Sequence, residues 1–183
     1  MNFSDFVKKV LIKLNELGIE YAITGALAVS YYGRPRTTID IDVIIHASPE
    51  EFEKIAQALN QIKVRCSAAE LKNAWESKYR VATFKNDKGL QLDIILTQER
   101  IPRREATILG VKTYIQEAGP LLLEKLRLMK NTIDEEKRII DKMDVLSILK
   151  NVEELDVEVL KDKAKAEATL DLLEELLVEA ESE

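Results

Sequence analysis

The sequence predicts an α/β (α+β) protein: strands flanked by helices, followed by a C-terminal helical region. Three observations lead there. Two segments, IDIDVII and LQLDIIL, alternate apolar and other residues with the period of two that marks a half-buried strand. The stretch YAITGALAV turns from a strand pattern into a helix pattern at a glycine. From Pro120 onward the segments have helical periodicity, and no strand signal recurs.

In chain order, Phe6, Val10, Leu11, Leu14 and Leu17 recur three and four residues apart, predicting a helix from Phe3 to Leu17 with Gly18 as its stop. YAIT is a short buried strand broken at Gly25, and ALAVSYYG is an apolar helical stretch ended by Gly33. RPRTT is a basic extended link, because Pro35 has no amide hydrogen to give a sheet. IDIDVII follows as a strand. SPEEFEKIAQALN opens as a helix: Ser48 caps it, Pro49 suits its first position and Glu51 completes a capping box. Residues 67–76 form another short helix. YRVATF and LQLDIILT are strands joined at NDKG as a hairpin, and REATILGVKTYIQ adds one more short strand. PLLLEKLRLMK, IDEEKRIIDKMDVLSILKN and the tail from Val152 are helical, the final LLEELLVEAESE being a solvated amphipathic helix with a frayed end. The expected division is an α/β part over 1–116 and a helical part over 117–183.

The chain has 183 residues, 46% hydrophobic and 33% charged, enough to bury a core. No apolar run reaches membrane-spanning length, and MNFSDFVKKV lacks the apolar centre of a signal peptide. The single cysteine, Cys66, cannot form an internal disulfide, which suits the reducing cytoplasm, and it reads as a small buried residue rather than a nucleophile. The net charge of −6 weighs against a large nucleic-acid surface, while Lys72, Lys78, Arg80, Arg103 and Arg104 leave room for a local basic patch. His46 is expected just past its strand, partly exposed, and Trp75 in the core.

Asp40 and Asp42 raise the functional question. Ionised carboxylates are costly in an apolar strand unless something compensates them. Alternation puts both on one face, with Ile39, Ile41, Val43 and Ile45 on the other. Neighbouring carboxylates repel, and a divalent cation removes that penalty. Asp93 sits in a similar strand-like run; if that strand lies beside the first, three carboxylates converge and two metal ions have ligands. Upstream, Gly25 stands where a strand becomes a helix, and amide hydrogens at a helix start bind anions. Glycine lets the backbone approach a phosphate closely, and Thr24 adds a hydroxyl. Arg34 and Arg36 lie near the aspartates in sequence, Arg36 being the better candidate for phosphate oxygens.

Ile23-Thr24-Gly25-Ala26, Asp40-Ile41-Asp42 and the later Asp93 together resemble the nucleotidyltransferase superfamily, whose polymerase-β-like fold implies a mixed sheet flanked by helices. YAITGALAVSYYGRPRTTIDIDVII looks most like the AbiEii-type branch of small prokaryotic proteins, which includes toxin-like members of toxin–antitoxin systems. LLLEKLRLMKN with Lys125, and Asp141-Lys142-Met143-Asp144-Val145, are similar to its helical motifs. The resemblance covers roughly residues 5–150. It implies Asp40, Asp42 and Asp93 as catalytic metal ligands for two Mg²⁺ ions. It also implies a nucleoside triphosphate held by Thr24, Gly25, Ala26, Arg36 and Lys125. The acceptor would be an RNA, a protein or a small molecule, and a cognate antitoxin is an implied partner. Two departures stand out: Ala26 replaces the usual Ser or Gly, and Ile140 stands where relatives often carry Lys, with Lys137 and Arg138 nearby. The alternative readings are a catalytically silent nucleotide-binding or partner-binding module on the same fold, and a structural protein whose aspartates face water.

Overall fold

The computed structural model describes residues 1–182. The chain folds as two compact units: Met1–Leu27 with Thr37–Gln116, and Ala28–Arg36 with the chain from Glu117 onward.

The first unit is built on a six-stranded sheet of β1 (Glu20–Thr24), β2 (Asp40–His46), β3 (Val81–Lys85), β4 (Gln91–Thr97), β5 (Arg103–Ile108) and β6 (Val111–Gln116), in the order β3-β4-β2-β1-β6-β5. β2 runs parallel to β4 and antiparallel to β1, while β1 runs parallel to β6. The two edges are antiparallel hairpins, β3–β4 and β5–β6. Alternation in β2 and β4 sends Ile41, Val43, Ile45, Leu92, Ile94 and Leu96 into the core. Burying each such side chain contributes about 1.5–3 kcal/mol, so slipping either strand by one residue would lose that burial and drive its aspartates inward. Register is fixed by this asymmetry. Ile39 is the exception to the expected apolar face: it is 72% exposed, because the strand begins only at Asp40.

Helix α1 (Phe3–Leu17) buries Phe6, Val7, Val10, Leu11, Leu14 and Leu17. Asn2 caps its start by accepting from the Asp5 amide, and Gly18 closes it in the left-handed region at φ 66°. α2 (Gly25–Tyr32) begins in this unit, and α3 (Phe52–Gln61) and α4 (Ala68–Glu76) follow. A short 3₁₀ turn at Pro49–Glu51 precedes α3, with the Ser48 amide donating to the Glu51 carboxylate at 2.9 Å. α1 packs against α3 and β6, and α4 against α3 and β3. REATILGVKTYIQ is two strands rather than one: Leu109 and Gly110, at φ 52° and 79°, reverse the chain between β5 and β6.

The second unit holds α5 (Ala118–Asn131), α6 (Glu135–Asn151), α7 (Val157–Ala166) and α8 (Leu170–Ser182). Leu121, Leu122, Leu126, Met129, Val145, Ile148, Leu160, Leu173 and Leu176 form its core. α8 is packed rather than merely solvated, through the buried Leu173 and Leu176; Glu183, the last residue of the expected frayed end, lies outside the described residues. Residues 28–36, read from sequence within the α/β part, group with these helices. Gly33 is the reason at one point: a Cβ there would stand 2.7 Å from the Asn151 side chain. Among the described residues, no helix is long and apolar enough to cross a membrane.

Candidate active site

Parallel pairing of β2 with β4 sets Asp42 directly beside Asp93 and Asp40 beside Gln91. Antiparallel pairing adds Thr24 on the other side of Asp42 and Thr83 on the far side of Asp93. Residues paired across a sheet share a face, and strands lie about 4.8 Å apart, so Thr24, Asp42, Asp93 and Thr83 form one row. Asp40, Asp42 and Asp93 are each half-buried on the more open side of the sheet.

Each outer carboxylate is held by a neutral donor. The Thr38 hydroxyl donates to Oδ1 of Asp40, and Nε2 of Gln91 donates to Oδ2 of Asp93 at 2.9 Å. Oδ1 of Asp93 is buried without a hydrogen-bond partner. A buried carboxylate oxygen in that state is what a cation or a donor-bearing ligand satisfies. As the side chains are turned here, no three His, Cys, Asp or Glu among the described residues form a group ready to hold a metal ion. The register brings Asp42 and Asp93 together; Asp40 is turned toward Thr38.

Gly25 adopts φ 60°, a conformation side chains disfavour, and a Cβ at this position would lie 2.1 Å from Oδ2 of Asp42. The glycine is required first by a carboxylate of the protein itself, a close approach that the sequence reading reserved for a phosphate. Thr24 is buried, and its hydroxyl donates to Oε1 of Gln116 at 2.5 Å. Ala26 is buried as well.

Arg36 and Lys125 belong to the second unit. The Arg36 guanidinium donates to Oδ2 of Asp144 at 2.7 Å, and its amide donates to the Ser30 hydroxyl. Lys125, 6% exposed, bonds Oδ1 of Asp141 at 2.8 Å and lies 3.1 Å from Oδ2 of Asp144. Burial pulls the Lys125 pKa down, but the hydrogen bond and charge of Asp141 and the charge of Asp144 outweigh it and hold the pKa above the ordinary lysine value. Two cations and two anions thus share a cluster in which Asp144 is fully enclosed and Arg36 is part-buried.

Elsewhere, burial pushes the Cys66 thiol up to about 12, which removes it as a nucleophile. His46 lies 3.3 Å from Glu20, and half-buried Trp75 packs edge-on to Phe52 under the Arg80 guanidinium. Arg103 donates to the Tyr21 carbonyl and stacks over Tyr114 at 3.9 Å. Arg103 and Arg80 are therefore engaged within the fold. The residues that sequence reasoning overlooked are Gln91 and Thr38; the available signal was that each stands two residues before an aspartate.

Solved structures share this architecture at low identity. ANT(2″)-Ia in complex with adenylyl-2″-tobramycin superposes with a TM-score of 0.68 at 15% identity, covering 90% of this chain and 98% of that one. An antigenic nucleotidyltransferase-like protein from Paracoccidioides brasiliensis gives 0.59 at 18%, with 92% of each chain covered. The lincosamide antibiotic adenylyltransferase LnuA, lincomycin-bound, gives 0.50 at 18%, covering 77% and 96%. Neither a protein-family model nor a curated protein matches the sequence. The fold is of the nucleotidyltransferase type.

Proposed function

We propose that the protein is a metal-dependent nucleotidyltransferase, moving a nucleoside monophosphate from a nucleoside triphosphate to an acceptor hydroxyl. The observation that carries this reading is the pairing of Asp42 with Asp93 in register on the open sheet face, with Gly25 packed against Asp42. The fold likeness supports it.

Asp42 and Asp93 would hold Mg²⁺, two ions being accommodated once Asp40 turns from Thr38. The unpartnered Asp93 oxygen and the all-carboxylate donor set fit such an ion. When bound, magnesium neutralises the carboxylates and polarises the phosphates. Asp93 orients the acceptor hydroxyl and takes its proton as the oxygen attacks the α-phosphorus. The bond to pyrophosphate breaks, and its electron pair leaves with the pyrophosphate. Amide hydrogens in the first turn of α2 are donors suited to the departing phosphate oxygens. Positioning and charge neutralisation supply most of the acceleration.

Tobramycin and lincomycin, named for the neighbours, favour a small-molecule acceptor; an RNA or protein hydroxyl is separated from it by experiment. The finer reading rests on the sequence resemblance: a toxin-like AbiEii-type protein of the cytoplasm with a cognate antitoxin. The test is incubation with α-labelled triphosphates and, in separate arms, total RNA, total protein and hydroxyl-bearing antibiotics. Asp93→Asn should cut label transfer by about 10²–10³-fold while the melting temperature holds. Transfer at the parent rate would remove Asp93 from the chemistry.

A second reading, a nucleotide-binding module without catalysis, is favoured by Arg36 and Lys125 both being held by Asp144, and by Ala26 lacking a hydroxyl. Calorimetric binding of a triphosphate with Mg²⁺, without pyrophosphate release in any arm, would select it.

A further inference from the structure

We infer that Gln91 is a positioning residue that sets the coordinating oxygen of Asp93. This rests on the reading that Asp42 and Asp93 hold a divalent cation. Gln91 occupies the fourth corner of a square on the open sheet face. It is the register partner of Asp40, and it precedes Asp93 by two residues on the same side of β4. Its amide nitrogen donates to Oδ2 of Asp93 at 2.9 Å.

A carboxylate offers two oxygens and rotates about its last bond. A donor fixed on one oxygen sets the plane of the group and leaves the other as the single coordinating atom. Here Gln91 takes Oδ2, and Oδ1 is the oxygen left buried without a partner. The same device recurs at the other outer carboxylate, where the Thr38 hydroxyl takes Oδ1 of Asp40.

The neutrality of the donor matters as much as its reach. A lysine at position 91 would neutralise Asp93 and compete with the cation. A glutamate would set a fourth negative charge beside Asp40 and repel Asp93. An amide orients the carboxylate and leaves its charge to the ion. Outer partners of this kind typically change metal affinity 10–100-fold when removed.

The experiment measures Mn²⁺ binding to the full chain by the loss of the free-ion electron paramagnetic resonance signal, with metal-free melting curves for every variant. Asp42→Asn reports whether the ion occupies the proposed site. Gln91→Met keeps the side chain's length without its donor, and Gln91→Ser is too short to reach Asp93. Both should weaken Mn²⁺ binding by about 10-fold at an unchanged metal-free melting temperature. Should Gln91→Met lower the metal-free melt, Gln91→Ser carries the comparison. If both bind Mn²⁺ like the parent while Asp42→Asn loses it, Gln91 has no positioning role and the metal reading stands. If the parent binds no Mn²⁺, or Asp42→Asn binds it unchanged, the reading and the inference fall together.

Discussion

In the helical unit Asp141 and Asp144 meet two cations, the buried Lys125 and the part-buried Arg36; in the α/β unit Asp40 and Asp93 take hydrogen bonds from neutral donors, Thr38 and Gln91, on the open face of a sheet. The formal charges divide in the opposite sense. The α/β unit carries 15 Lys and Arg against 14 Asp and Glu, a net +1, while the helical unit carries 12 against 19, a net −7. The acidity of the whole chain therefore says nothing against anionic ligands of the α/β unit. A carboxylate can be committed to architecture by giving it a buried cation, or kept available by orienting it with a group that leaves its charge intact. The difference separates acids held by cations from acids held by neutral donors, which residue type alone does not.

Three perturbations break or sharpen that contrast. The largest effect falls on the committed acids. Asp144→Ala leaves Arg36 without its carboxylate partner and the buried Lys125 with Asp141 alone, and should cost about 3–5 kcal/mol in a urea melt. A loss below about 1 kcal/mol would mean the cluster does not hold the helical unit together. Next comes Gly25→Ala, which combines a left-handed backbone with a Cβ driven at the Asp42 carboxylate. Strain of about 1–2 kcal/mol should appear in the melt, and Mn²⁺ binding should weaken alongside it. Binding unchanged at that cost would show that Gly25 serves only the turn. The smallest effect concerns Glu20, whose pKa is held below the ordinary value by the Ile101 amide, against burial, and by the hydrogen bond from His46. A lowered folded-state pKa means that this contribution is complete above the ordinary glutamate value of about 4.3 and is lost as pH falls through the folded value. It should amount to less than about 1 kcal/mol. Melts between pH 6 and 3 should show the parent losing slightly more stability than Glu20→Gln; parallel curves would remove Glu20 from the acid response.

Legibility followed the range of the interactions. α1 and the alternation of β2 and β4 were readable because periodicity is a local property. The same alternation predicted that Asp40 and Asp42 share a face, and Gly25 was found because a strand-to-helix turn is local too. The β5–β6 turn was missed because β5 has little apolar alternation to mark it and Leu109, at φ 52°, is no usual turn residue. The partner that holds Arg36 was not legible: Asp144 lies 108 residues away, a separation no local pattern reveals. The same holds for Thr24, whose hydroxyl donates to Gln116, 92 residues away.

The adjacency of Asp42 and Asp93 has a consequence for synthesis. Residues of β3, two helices and the loops between them are translated after β2 and before β4, and β4 must then insert alongside it. A ribosome that has delivered the chain only through β3 has made Asp40, Asp42 and the glycine turn but not Asp93. The pairing of Asp42 with Asp93 therefore comes into being only when β4 docks beside β2.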